Sequence, residues 1–430
     1  MEALCRDDRR PIGDEMRMIE NRRYTEIAKA CERFEGDRRV ESLAARIPQA
    51  RLYVYGFRSL VGPLEVIRAR IFEARGRFRG EHKWHLRQAL DQLDQLEILR
   101  QLEVPNDFRA ITVHFALHHR ALRSVKANLE RACAVSTFGP SEILRNFTRA
   151  VQSVTGSNGL YVVNWKEFED WKVLHIPDIG VEVVKLVYAN RHSLNLGTAS
   201  SKLSAHKHRE TSEIHFSLEP SGGDEIVGHY RVRVAEPFAV PIRPGKWHGA
   251  EQNETSRHHR ILFLTGSPRF LGWGTVNDRT TTESSKLPLK PLGQEQIQKT
   301  GGLLLERAIQ DIERQATSKA LEKELIGSLS SGGLTLSVIA IPDSWSTFSD
   351  DAINLVVRGA GELTVLTNKT KVGEGDVFAI PFGITYELKN GRRRPLVLLR
   401  SLLEDPRIAT LHVAHQVTHA KKKAHSLSHD

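Results

Sequence analysis

No stretch of about eighteen apolar residues occurs anywhere in the 430-residue chain, which excludes a helix that crosses a membrane. The first residues, MEALCRDDRRPIGDEMRM, hold no apolar segment, so a secretory leader is not expected. Cysteine is scarce. Cys5, Cys31 and Cys133 stand alone, odd in number and without CxxC spacing, which argues against a disulfide framework and against a zinc ribbon. Glycine (31) and proline (17) are at ordinary levels, excluding collagen-like and low-complexity classes. With 40% apolar and 27% charged residues the chain can bury a core, and its length suits two or three domains. The expectation is a soluble cytoplasmic protein.

The charge is uneven. The net charge is +10, and residues 1–150 hold 28 basic against 21 acidic residues, so +7 of it lies there; 25 of the 28 are Arg. Because these Arg are interspersed with Asp and Glu rather than blocked, they read as a solvated helical face. No helix-turn-helix spacing is present, so nucleic acid is not an expected partner.

Residues 1–155 read as a helical domain. Met16–Phe34, Leu64–Phe78, His82–Leu102, Phe108–Ala134 and Ser141–Val151 carry apolar residues at helical spacing. In the third of these Leu86, Leu90, Leu93, Leu96 and Leu99 form one stripe, the kind that packs against a neighbouring helix. After Gly156-Ser157-Asn158-Gly159 the pattern turns to short β-rich segments: Leu160–Val163, Val181–Tyr188, Glu213–Leu218, Tyr230–Val234, Phe238–Val240 and Arg260–Leu264. Gln294–Ile326 reads as one long amphipathic helix stopped by Gly327. A second β region follows, with strands at Leu334–Ile341, Ile353–Val357, Glu362–Leu366, Asp376–Ile380 and Leu396–Ser401. The His- and Lys-rich segment from Asp405 to Asp430 reads as a disordered tail. Phe-Ala-(Val/Ile)-Pro occurs in both β regions, at Phe238–Pro241 and Phe378–Pro381, which points to a duplicated barrel.

One string carries chemistry: His206-Lys207-His208-Arg209-Glu210-Thr211-Ser212-Glu213. Two His at i and i+2 share one face of an extended strand, and a carboxylate beyond a bend can point back to the same spot. His248 follows after the Pro244-Gly245 turn. Three imidazoles and one carboxylate suit a divalent metal with open positions, and without a cation such a buried set would be poorly compensated. His215, two residues after Glu213, shares its face and is a candidate acid–base or substrate-contacting group. Tyr230, Val232 and Val234 are the inward set of their strand, leaving His229, Arg231 and Arg233 toward water. Trp247 is expected to pack, and His258-His259 to be exposed.

These residues resemble the two signature motifs of the cupin superfamily, the first supplying His-x-His and a Glu, the second a His after a Pro–Gly turn. His206, His208, Glu213 and His248 occupy the four ligand positions. The resemblance departs from the pattern at Ser200, where the motif has Gly, and at Asn253, one residue late. The second region keeps Pro381-x-Gly383 but carries Tyr386 at the ligand position, like a cupin repeat that has lost its metal. Its interior is expected to be filled by Ile353, Leu355, Val357, Val365, Phe378, Ile380 and Tyr386.

The resemblance implies an α+β protein: a helical N-terminal domain followed by two β-barrel (cupin-like, double-stranded β-helix) domains. The divisions expected are 1–155 helical, 156–285 metal-binding barrel, 286–330 helical linker, 331–404 degenerate barrel and 405–430 tail. It implies a divalent metal, Fe(II) first, with Mn, Ni or Zn as the other candidates, and a small-molecule substrate; a homo-oligomer is compatible. Three functions stay open: an Fe(II) dioxygenase, a metal-dependent sugar isomerase or epimerase using His215 as base, and a non-catalytic small-molecule sensor.

Overall fold

The computed structural model describes residues 47–101, 108–134, 140–157, 159–168, 175–176, 181–189, 192–199, 204–220, 222–252, 259–266, 279–327 and 333–403. The helix expected at Met16–Phe34, the thiols Cys5 and Cys31, His258 and the His-rich tail lie outside the described residues.

Five helices open the described chain: α1 (Ile47–Ser59), α2 (Val61–Arg77), α3 (Gly80–Gln101), α4 (Phe108–Ala134) and α5 (Pro140–Thr155). The leucine stripe of α3 is buried, from Leu86 at 0% exposed to Leu99 at 8%, and packs against α4 as its spacing requires. Among the described residues no helix is long and apolar enough to cross a membrane.

The strands run in chain order as β1 (Val162–Asn164), β2 (His175–Ile176), β3 (Val181–Tyr188), β4 (His192–Ala199), β5 (Ser204–His208), β6 (Ser212–Ser217) and β7 (Gly223–Val227). Then come β8 (Tyr230–Val234), β9 (Phe238–Ile242), β10 (His248–Gln252), β11 (His259–Gly266), β12 (Arg279–Glu283), β13 (Lys290–Leu292) and β14 (Leu303–Leu304). Helix α6 (Leu305–Gln315) separates these from β15 (Leu321–Ile326), β16 (Leu334–Ile341), β17 (Ser344–Phe348), β18 (Ile353–Arg358) and β19 (Ala360–Val365). The last four are β20 (Asn368–Gly373), β21 (Asp376–Ala379), β22 (Thr385–Asn390) and β23 (Leu396–Leu403).

Four sheets result. The first barrel pairs the order β14-β9-β6-β11-β4-β3-β2 with β12-β5-β10-β7-β8-β13. The second pairs β1-β21-β18-β23-β16-β15 with β17-β22-β19-β20. Within these, β9-β6-β11-β4-β3 answers to β21-β18-β23-β16-β15, and β5-β10-β7-β8 to β17-β22-β19-β20. The duplication suggested by one tetrapeptide therefore extends through both sheets of each barrel. The turn repeats as well. Gly245 (φ +78) donates its N–H to the His208 carbonyl at 2.6 Å, and Gly383 (φ +77) donates to the Ser349 carbonyl at 2.8 Å. A positive φ at this point is where glycine costs least.

The two barrels share a core. Strand β6 is buried along its whole length. Its outward Ile214 and Phe216 join Leu262 and Leu264 in one apolar cluster with Leu334, Leu336, Ile353 and Leu355 of the second barrel, Val54 and Phe57 of α1 and Leu60 just after it. Each such side chain contributes about 1.5–3 kcal/mol by leaving water. Gly266 lets the barrels approach, since a Cβ there would meet Leu334 at 2.9 Å.

Two expectations are corrected. The single long helix expected over Gln294–Ile326 is broken into a 3-10 helix at Gln294–Thr300 and an α-helix at Leu305–Gln315. Leu303 and Leu304 instead pair with Ala239 and Phe238 on the edge of β9, and Leu321–Ile326 pairs with β16. Gly302 permits the first pairing, because a Cβ there would lie 2.6 Å from Val240. Tertiary pairing overrides a helical pattern that Leu and Glu residues alone suggest. Second, Ile353, Leu355 and Val357 do not fill the second barrel: they face outward into the shared core, while Val356 faces inward with Val365, Phe378, Ile380 and Tyr386. Strand β1 also lies apart from the region in which its sequence falls. It pairs with β21, so it is the edge strand of the second barrel.

Where the barrels meet, His192 is 1% exposed and its Nε2 lies 3.3 Å from the Ser401 carbonyl. Burial pulls it down to about 4, outweighing that bond. Because the unfolded chain takes up this proton near pH 6.5 and the folded chain only near 4, stability is present above that window and is lost as pH falls through it. His114, buried in α4 and pulled down to about 3 first by burial and then by His118 and Arg58, acts with the same sign. Urea unfolding should show His192 alone removing about 2 kcal/mol between pH 7 and pH 5. His192→Asn should flatten the profile by that amount; an unchanged slope would refute the assignment.

Candidate metal centre

The His-x-His motif lies on β5, with both rings turned inward as the two-residue period requires. His248 opens β10 directly beside it: His248 and His206 are register partners, and their ring centroids are 4.0 Å apart. Glu213 reaches across from β6 on the facing sheet. Its Oε1 lies 3.4 Å from His208 Nε2 and its Oε2 lies 3.2 Å from His248 Nε2. One ligand atom from each of His206, His208, Glu213 and His248 falls within 4.8 Å of the others, and all four residues are buried.

Electrostatics prepare the group for a cation. Burial pushes the Glu213 carboxyl up, but bonds from His208, His215 and His248 outweigh it and hold it well below the usual carboxylate range. Burial, reinforced by His248, holds His206 well below its ordinary value, and burial also lowers His248. The neutral imidazole is the form that ligates. His248 Nδ1 lies 3.1 Å from the Lys246 carbonyl, which leaves Nε2 as the metal-facing nitrogen. His206 Nδ1 is buried with no hydrogen-bond partner. A buried unpaired nitrogen among three other donors fits a divalent ion, so the residues present suit the group that the sequence implies.

His215 shares the inward face of β6 as expected. Its Nε2 is 3.0 Å from Glu213 Oε2, and its Nδ1 is 3.2 Å from Glu225 Oε2. These two bonds, against burial, raise it to about 9. Glu225, on β7 and 0% exposed, is the interior residue that sequence reasoning missed. Val232 and Val234 are buried and Arg233 faces water; Arg231 bonds Glu251, and both Arg lie within 4 Å of Asp224. His229 is exposed. Trp247 lies under Lys207, whose Nζ is 4.8 Å from the ring centroid.

The second barrel holds none of these donors. Tyr386 pairs with Thr347 as His248 pairs with His206, so Thr347 and Tyr386 stand at those two positions. The repeated turn puts Ser349 at the His208 position. Equal lengths of β4 and β16, and of β11 and β23, align Thr265 with Leu402. Counting back from the Ile353–Ser401 pair then places Ala352 at the position of Glu213. A cation is nevertheless present. Arg400, 7% exposed, bonds Asp350 and reaches Glu322 Oε1 at 3.2 Å, with the Tyr386 hydroxyl beside it.

A helical unit followed by two double-stranded β-helix barrels has a cupin-like architecture, and among the described residues the buried three-His, one-Glu group lies in the first barrel. Known protein families show no match to the sequence, and neither do the curated proteins. Among solved structures, a salicylate 1,2-dioxygenase from Pseudaminobacter salicylatoxidans is similar at 13% identity and a TM-score of 0.47, covering 59% of this chain and 86% of its own. A variant of that enzyme in complex with gentisate has the same identity and TM-score. A cupin 2 conserved barrel domain protein from Leptotrichia buccalis is similar at 10% identity and a TM-score of 0.39, covering 56% and 96%.

Proposed function

We propose that the chain is a metal-dependent oxidoreductase of the non-haem Fe(II) dioxygenase type, acting on a small metabolite in the cytoplasm. The observation that carries this reading is the buried quartet of His206, His208, Glu213 and His248. A divalent ion held by these residues would supply Lewis-acid and one-electron chemistry toward O₂ and a substrate. The protein's part is to hold the His206 and His248 imidazoles neutral and the Glu213 carboxyl ionised in a buried interior, so that the site binds a cation without reorganising. His215 is the interior imidazole outside the quartet and the proposed proton carrier of this reading, available to a substrate when its Nε2 leaves Glu213. The helical, metal-barrel and second-barrel divisions drawn from the sequence belong to the same proposal, with β1 and β15 assigned to the second barrel, β13 and β14 to the first, and α6 left between them.

An oxygen electrode tests it. Protein loaded with Fe(II) and screened against small metabolites should consume O₂ only with a substrate present, and turnover should stop under argon. Undiminished turnover under argon, or with Zn²⁺, would replace the dioxygenase by an isomerase or epimerase.

A further inference from the structure

Glu225 is a carboxylate sealed inside the first barrel, and the quartet does not use it. Sealing a carboxylate away from water is costly unless it is bonded and matched in charge. His215 bonds it, with Nδ1 at 3.2 Å, and the other nitrogen of that ring lies 3.0 Å from Glu213. Three residues from two facing sheets thus form one line: Glu225 on β7, then His215 and Glu213 on β6. The Phe263 ring, 5.8 Å from the His215 ring, packs against the imidazole from β11.

We propose that Glu225 and His215 are positioning residues for the metal centre, Glu225 fixing the imidazole and the imidazole fixing which way Oε2 of Glu213 is turned. The inference rests on the quartet being a metal site. The second barrel supplies an internal comparison. Arg400, the counterpart of Phe263, pairs with Asn354, so Asn354 stands where His215 does. Leu388 pairs with Leu363 as Ala250 pairs with Glu225, so Leu363 stands where Glu225 does. The barrel that has lost the ligands has lost both members of the line as well. A His–Glu pair kept only to satisfy a barrel interior would have no reason to disappear together with the quartet. Metal ligands are ordinarily oriented by such outer hydrogen bonds, and removing one weakens metal affinity by roughly 10–100-fold.

Mn²⁺ titration of the whole chain, followed by its electron paramagnetic resonance signal, tests the proposal. Glu225→Gln, nearly the same shape, should weaken Mn²⁺ binding by roughly 10–100-fold and alter the zero-field splitting of bound Mn²⁺. In a His215→Phe background the same substitution should weaken binding no further, because Glu225 acts through His215. Unchanged affinity and spectrum in Glu225→Gln, or losses that multiply in the double variant, would overturn the proposal. If Glu225→Gln lowered the metal-free melting temperature while affinity and spectrum held, the pair would be structural only and the proposal would fall. A wild-type chain that binds no Mn²⁺ would bring down both this inference and the metal reading, an outcome distinct from intact binding that ignores Glu225.

Discussion

Purified without an affinity tag, the chain will carry about one divalent metal ion per molecule, and His208→Ala or Glu213→Ala will carry almost none. The size of the effect follows from the geometry. All four ligand atoms lie within 4.8 Å of one another, so deleting one leaves three donors around a gap that the rigid barrel cannot close. Removing Glu213 also deletes the carboxylate that three imidazoles bond. Both variants should remain folded, since each replaces an inward side chain while the outward Ile214 and Phe216 of β6 still fill the shared core. Elemental analysis beside a circular dichroism melt checks this. Deleting the chain after Asp405 should leave the metal in place. Full metal content in both point variants, or loss of metal with the tail, would place the ion elsewhere.

The largest stability loss is expected in the other barrel. Arg400→Met removes the guanidinium that Asp350, Glu322 and the Tyr386 hydroxyl surround, at a residue only 7% exposed. The carboxylates left behind, Asp350 at 20% and Glu322 at 41% exposed, are screened in part by water, so the loss expected is about 1–3 kcal/mol rather than the full cost of a sealed charge. Adding Asp350→Leu should recover part of the loss, and Tyr386→Phe alone should change stability by less than about 1 kcal/mol, because the buried hydroxyl has no hydrogen-bond partner to lose. Metal content should stay unchanged throughout, since the quartet belongs to the first barrel. Urea midpoints read all of this, and an Arg400→Met variant within about 1 kcal/mol of the wild type would mean the guanidinium is well solvated.

The quartet was legible in the sequence because its spacing is local: a two-residue period brings His206 and His208 to one face, and a turn delivers His248. The α3 stripe was legible for the same reason, with 3.6 in place of 2. Glu225 was not, because its bond to His215 is set by the distance between facing sheets, and Asp224-Glu225 reads as a surface pair. The sense of β18 was hidden for a different reason. Ile353, Leu355, Val356 and Val357 are buried on both faces of one strand, so apolarity no longer separates inside from outside. The stretch 294–326 failed because Leu303–Leu304 and Leu321–Ile326 find partners far away in the chain, which outweigh local preference.

Strand β1 sets an order of events during synthesis. Val162–Asn164 leaves the ribosome before any residue of the first barrel, yet its partner, Asp376–Phe378, is among the last structured segments made. For more than two hundred residues of synthesis the edge it must join does not exist. Val163 and Trp165, 6% and 3% exposed in the finished protein, therefore stay uncovered while the metal barrel forms around its own strands. A nascent chain stalled between β10 and β21 would hold a complete ligand set and an unclaimed apolar strand, the combination that chaperones and proteases recognise.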